Sequence, residues 1–154
     1  MLVIAVVGKE SELQAKLRIF RERKELVAIE NALGPVLTDR APTMAEAPSW
    51  VAEATARFWE IETEPDAVIS DDAEPDALAA WTEEQLARHG IEGNCYAATH
   101  LSIRPWISCA QAPGWTRLLR TAVKEPIVVL SADVGTVVAF LELEYVHAVF
   151  TATA

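Results

Sequence analysis

Cysteine is nearly absent: Cys95 and Cys109 are the two that the 154 residues contain. Two thiols make no disulfide framework at this length, and the expectation is a pair of reduced, buried side chains in an intracellular protein. Long apolar runs are missing too. The longest is the opening MLVIAVV, seven residues before Gly8, well short of the roughly 20 that a membrane span needs. It has no basic n-region and no small-residue cleavage site, so it reads as a buried strand and not as a signal peptide. The expected setting is the cytoplasm or an assembled particle, with no membrane role and no recognisable secretion signal.

Basic charge is the third shortage. Thirteen Lys and Arg stand against 23 Asp and Glu, for a net charge of −10. The imbalance is local: residues 1–40 carry seven basic against six acidic residues, residues 93–154 four against four, and residues 41–92 two against thirteen. Sequence-independent binding of nucleic acid needs clustered Lys and Arg to displace counterions, so this balance argues against a nucleic-acid partner. The one basic cluster, Lys16, Arg18, Arg21, Arg23 and Lys24, interleaves with Glu22 and Glu25. On a helix it spreads around the polar face, as a solvated surface does. An acidic partner, including the middle block of a neighbouring copy, is the next reading.

What is present is ordinary globular material, 51% hydrophobic and 23% charged, enough to bury one core in a single domain over 1–154. MLVIAVVG reads as strand, and Ser11 caps a helix to about Leu33 on which Leu13, Leu17, Phe20, Val27 and Leu33 lie near one stripe. SWVAEATARFWEI places Trp50, Ala54, Phe58 and Ile61 at helical spacing, AVIS is a short strand, and Pro75 and His89-Gly90 bracket a further helix. NCYAATHLSI is a strand stopped by Arg104-Pro105, APGWTRLLRTAV a short helix, and IVVLSA a strand joined through ADVG to GTVVAFLELEYVHAVF. Residues 136–150 fit a helix by spacing, but their β-branched content favours strand. The predicted architecture is α/β or α+β: one mixed sheet layer flanked by helices, ending in a C-terminal β-hairpin.

Four acids follow the AVIS strand: Asp71, Asp72, Glu74 and Asp76. The segment AVISDDAEPDALAA resembles the strand-then-acids motif of Toprim domains, in which a strand delivers carboxylates to Mg²⁺ for phosphodiester chemistry. That resemblance implies Asp72, Glu74 and Asp76 as metal ligands and LVIAVVGKESE as the first strand. The family's first strand ends in a catalytic glutamate before glycine, and Val7 stands there in this chain. The competing reading is a helix start, with an Asp cap and first-turn acids that complement the helix dipole. It is preferred, and no metal or cofactor is assigned. Gly8-Lys9 lacks the upstream glycine of a phosphate loop, and Cys95, His100, Cys109 and His89 lack the paired spacing of a zinc site.

Five tryptophans stand at 50, 59, 81, 106 and 115. Trp50, Trp81 and Trp115 fall on apolar stripes; Trp59 and Trp106 do not, and are candidate partner anchors. The last strand, with Leu141, Leu143, Tyr145 and Val149 alternating against Glu142 and Glu144, has none of the Lys or Pro that protects an edge. It is either central in its sheet or covered by another subunit. With no complete catalytic motif, the leading expectation is a non-catalytic structural or assembly subunit that self-associates or docks on a protein partner. In general layout the chain is loosely similar to phage connector and tail-completion proteins, which implies a particle component. The alternatives are a Toprim-like Mg²⁺-dependent phosphodiester or nucleotide enzyme, and a small regulatory protein-binding module using Trp59 and Trp106.

Overall fold

The computed structural model describes residues 10–38, 44 and 46–154. The strand expected over MLVIAVVG, with Val7 and Gly8-Lys9, lies outside the described residues. The elements are α1 (Glu12–Leu33), α2 (Ser49–Phe58), β1 (Ala67–Ser70), α3 (Pro75–Arg88), β2 (Asn94–Ala98), β3 (Trp106–Ala110), α4 (Trp115–Ala122), β4 (Ile127–Ser131), β5 (Thr136–Leu143) and β6 (Val146–Thr153). Helix starts follow local chemistry. The Ser11 hydroxyl accepts from the Gln14 backbone N–H at 3.1 Å and the Gln14 side-chain Oε1 accepts from the Ser11 N–H at 2.9 Å, a capping box that pairs two otherwise orphaned donors. Pro35 follows the end of α1, where a missing N–H and a fixed φ stop a helix. Pro75 opens α3, where its missing N–H costs nothing. None of the described helices is long and apolar enough to cross a membrane.

The six strands form one sheet in the order β1-β6-β5-β4-β2-β3. The α+β class, the flanking helices and the closing hairpin agree with the sequence reading. The strand directions differ from a mixed sheet: every pair is antiparallel. The helical crossovers β1–α3–β2 and β3–α4–β4 do join strands that run the same way, but other strands lie between them each time. No two described neighbours are therefore parallel.

Period-2 alternation divides the core between the sheet faces. On one face Cys95, Ala97, Ile127, Val129, Phe140 and Val149 pack with Ile29, Leu33, Leu86, Trp115 and Leu119 from α1, α3 and α4. On the other, Tyr96, Val128, Leu130, Val137, Ala139 and Phe150 meet Val51, Ala54 and Phe58 of α2. Phe58 stacks on Phe150 with ring centroids 5.7 Å apart. Each of the Val, Leu, Ile and Phe side chains among them contributes about 1.5–3 kcal/mol by leaving water.

Three segments depart from the sequence reading. The run read as one strand over 136–150 breaks at Glu144-Tyr145 into β5 and β6, with Tyr145 at φ 69°. No Gly or Asn marks that turn. The strand expected over NCYAATHLSI stops at Ala98; Thr99 then bonds the carbonyls of Pro105 and Arg104, and the chain returns as β3 (WISCA), a strand the sequence reading does not include. Ile61 lies beyond the end of α2 and is fully exposed. The ADVG turn between β4 and β5 is as expected, held by Asp133, which accepts from the Ser131 hydroxyl at 2.7 Å and the Gly135 N–H at 3.0 Å. Those donors hold the Asp133 carboxyl below its ordinary range.

Candidate functional site

Helix α1 is apolar on two opposite sides. At about 100° per residue, Ile19, Leu26, Ile29 and Leu33 line one face, and Leu13, Leu17, Phe20 and Val27 lie about 160° around the axis. The first set faces the sheet: Ile29 and Leu33 are buried and Leu26 packs on the same cluster. The second set is 53–67% exposed. Leu33 thus does not share a stripe with Leu13 and Leu17, and the stripe read as core is an outward face. Its positions, with Lys24 between, alternate steps of four and three residues, the spacing of a coiled-coil seam.

Basic residues border this stripe. Lys16 and Arg23 run along one side and Arg21 along the other, while Lys24 lies within it, its Nζ 4.6 Å from the Phe20 ring centroid. Arg18 turns toward the body instead. It donates to Glu10 at 2.9 Å and to the Ser102 hydroxyl, and the Glu10 carboxylate holds its pKa above the ordinary value. Glu22 accepts from the Ile103 N–H at 3.0 Å. These contacts lock the rotation of α1 about its axis, so the Leu13–Val27 stripe points away from the sheet.

A second surface has the opposite charge. Glu60, Glu62, Glu64, Asp66, Asp71, Asp72, Glu74 and Asp76 are all exposed along and beside the short edge strand β1. Exposed apolar side chains interrupt them: Ile61, Val68, and Leu143 and Tyr145 at the β5–β6 turn. The Asp71 N–H donates to the Tyr145 carbonyl at 3.1 Å, joining turn and edge strand into one rim. Of the interface residues chosen from sequence, Leu143 and Tyr145 lie on this rim and Leu141 is half-buried beside it. Val149 is corrected: at 0% exposure in the interior strand β6 it has no surface to offer a partner. The last strand is central, paired with β1 and β5, so no second subunit is needed to cover it.

Asp72, Glu74 and Asp76 do not converge. Asp72 accepts from the Ser70 hydroxyl at 2.5 Å, Glu74 is the N-cap residue of α3, and Asp76 pairs with Arg117 at 2.5 Å. Among the described residues, the group of three side chains with metal-ligand geometry is Glu125, Glu142 and His147. Cys95 and Cys109 face each other across β2 and β3, free and buried. Burial pushes both thiols up, Cys109 to about 12, so neither is a nucleophile at neutral pH.

Trp59 and Trp106, far apart in sequence, line one cleft of about 600 Å³ between α2 and the sheet, floored by Ala98 and Val128, with His100 and Pro126 at its side. Trp59 is held edge-on by Phe58 and Phe150. Short floor residues, with one ten-residue helix over this face among the described residues, leave the volume unfilled. Comparison with protein-family models, curated proteins and solved structures returned no match for the chain.

Proposed function

We propose that this chain is a non-catalytic assembly subunit that self-associates, α1 of one copy docking on the acidic rim of the next. The observation that carries the reading is the exposed Leu13–Leu17–Phe20–Val27 stripe. A helix anchored on one side and apolar on the other has a surface whose burial is worth association energy. Charge selects the occupant. Two α1 helices side by side set Lys16, Arg21 and Arg23 against their own copies, which costs energy. The rim around β1 instead offers carboxylates interspersed with Ile61, Val68 and Tyr145. Such a contact joins two different patches, so it propagates into rings or filaments according to the rotation it imposes.

Sedimentation equilibrium tests this. Wild type should associate in the micromolar range and weaken with added salt, while Leu17→Glu/Phe20→Glu should sediment as a folded monomer. A wild-type monomer at all concentrations would remove the reading.

A second reading, a small binding module, is favoured by Trp59 and Trp106 sharing one cleft. Its volume falls in the range of about 300–1,000 Å³ that small-molecule pockets occupy, and aromatic walls suit a partner's apolar side chain. Intrinsic fluorescence should then respond to a partner and lose that response in Trp106→Ala.

A further inference from the structure

We propose that the cleft between α4 and the β5–β6 hairpin is a binding site for a divalent first-row transition ion, with His147, Glu142 and Glu125 as its protein ligands and Zn²⁺ as the fitting member of the class. Glu142 and His147 are direct partners in the β5–β6 ladder, so their side chains leave the same face of the sheet. Glu125 arrives from the segment between α4 and β4. A ring nitrogen of His147 and one carboxylate oxygen from each glutamate all lie within 4.8 Å of one another. Bonds of about 2.0–2.2 Å need a rotation of the exposed Glu142 side chain toward the ion and a second lone pair from the held Glu125 carboxylate, around an imidazole fixed by burial.

His147 supplies an observation independent of the acids. The residue is 7% exposed, and its Nδ1 is buried with no hydrogen-bond partner. A buried polar atom without a partner is rare because water was given up for nothing; a metal bond at that same Nδ1 would compensate the loss. The histidine occupies a position where the alternation demands an apolar residue, between Val146 and Ala148 in a strand paired on both sides.

The surroundings suit a held ion. Glu125 is already oriented: one oxygen accepts from Arg120 at 3.1 Å and the other from the Glu142 N–H at 2.8 Å. Arg120 is in turn fixed by Thr82 at 3.2 Å. Partners of this kind orient ligands and tune their basicity. Arg120 offsets part of the negative charge that the two carboxylates bring together. One nitrogen and two oxygen ligands favour Zn²⁺, Mn²⁺ or Fe²⁺ over Mg²⁺ and Ca²⁺, which take oxygen alone. The remaining coordination positions open on a cleft of about 560 Å³ bordered by Leu78 and Lys124.

The test is calorimetric titration of the full chain with Zn²⁺ after dialysis against chelator, in the Leu17→Glu/Phe20→Glu background so that oligomerisation plays no part. The expected result is one ion per chain with micromolar affinity, weakened by about 10- to 100-fold in Glu142→Gln and in Glu125→Gln, with Mg²⁺ producing no heat at the same concentration. Co²⁺ should give visible absorption that Glu142→Gln shifts to higher ion concentration, and Asp72→Asn/Asp76→Asn should leave Zn²⁺ binding unchanged. No Zn²⁺ binding at about 100 μM, equal affinity in Glu142→Gln, or equal binding of Mg²⁺ would each overturn the site. The folded state of every variant is checked by circular dichroism, and the two exposed glutamates keep the test valid even where His147→Gln fails to fold.

Discussion

The Glu22 carboxylate accepts a hydrogen bond of 2.8 Å from the hydroxyl of Ser102, 80 residues away in the chain. Burial raises the Glu22 pKa, but the Ser102 hydroxyl, the Ile103 N–H and Arg18 together outweigh it and hold the group below the ordinary 4.5. A depressed carboxylate contributes stability above its unfolded value, and that contribution is lost as pH falls through the folded value. Glu22→Gln should therefore lower the melting temperature at pH 7, with the difference shrinking as the pH falls below the ordinary 4.5 and through the depressed folded value. Thermal melts across pH check this; parallel profiles would contradict the anchoring role.

The two faces of α1 should respond oppositely to truncation. Leu33→Ala empties a fully buried position and should cost about 2–5 kcal/mol in denaturant unfolding. Leu17→Ala removes an exposed side chain and should change monomer stability by less than about 0.5 kcal/mol, yet weaken association measurably.

Tyr145 sits at φ 69° and is 73% exposed. A side chain in the left-handed region costs roughly 1–2 kcal/mol, so Tyr145→Gly should raise the melting temperature of the monomer. The same change deletes an aromatic from the acidic rim and should weaken self-association, separating stability from contact.

The cysteines should be silent in the native state. Burial holds the Cys109 thiol at about 12 and pushes Cys95 up as well, with Cys109 adding to the latter. A thiol reagent at pH 8 should label neither until denaturant is added, and then both. Rapid native labelling would contradict the packing between β2 and β3.

Much of the fold was legible because local chemistry specified it. Ser11 with Gln14, Pro75, Asp133 with Gly135, and the continuous β-branched apolar run of IVVLS each carry their structure in a few neighbouring residues. What was not legible depends on partners distant in sequence. Nothing local distinguishes the stripe through Leu13 and Phe20, left outside, from the one through Ile29 and Leu33, because both are apolar and only the sheet decides which is buried. The turn at Glu144-Tyr145 lacks turn residues, so one hairpin looked like one strand and Val149 like a surface position. Glu125, Glu142 and His147 obey no spacing rule; they meet only once β5 folds back on β6. Trp59 and Trp106 were distinguishable as off-stripe aromatics, but the cleft they share belongs to the tertiary fold.

The most direct measurement is a mixing experiment followed by sedimentation velocity. One variant, Leu17→Glu/Phe20→Glu, keeps its acidic rim and loses its docking helix; the other, Glu62→Lys/Glu64→Lys, keeps α1 and loses the rim's charge. Each alone should sediment as a monomer at a concentration where wild type associates. Mixed in equal amounts they should form a heterodimer and stop there, since one intact helix meets one intact rim. Two monomers persisting in the mixture, with wild type associating under the same conditions, would contradict a contact between α1 and the rim.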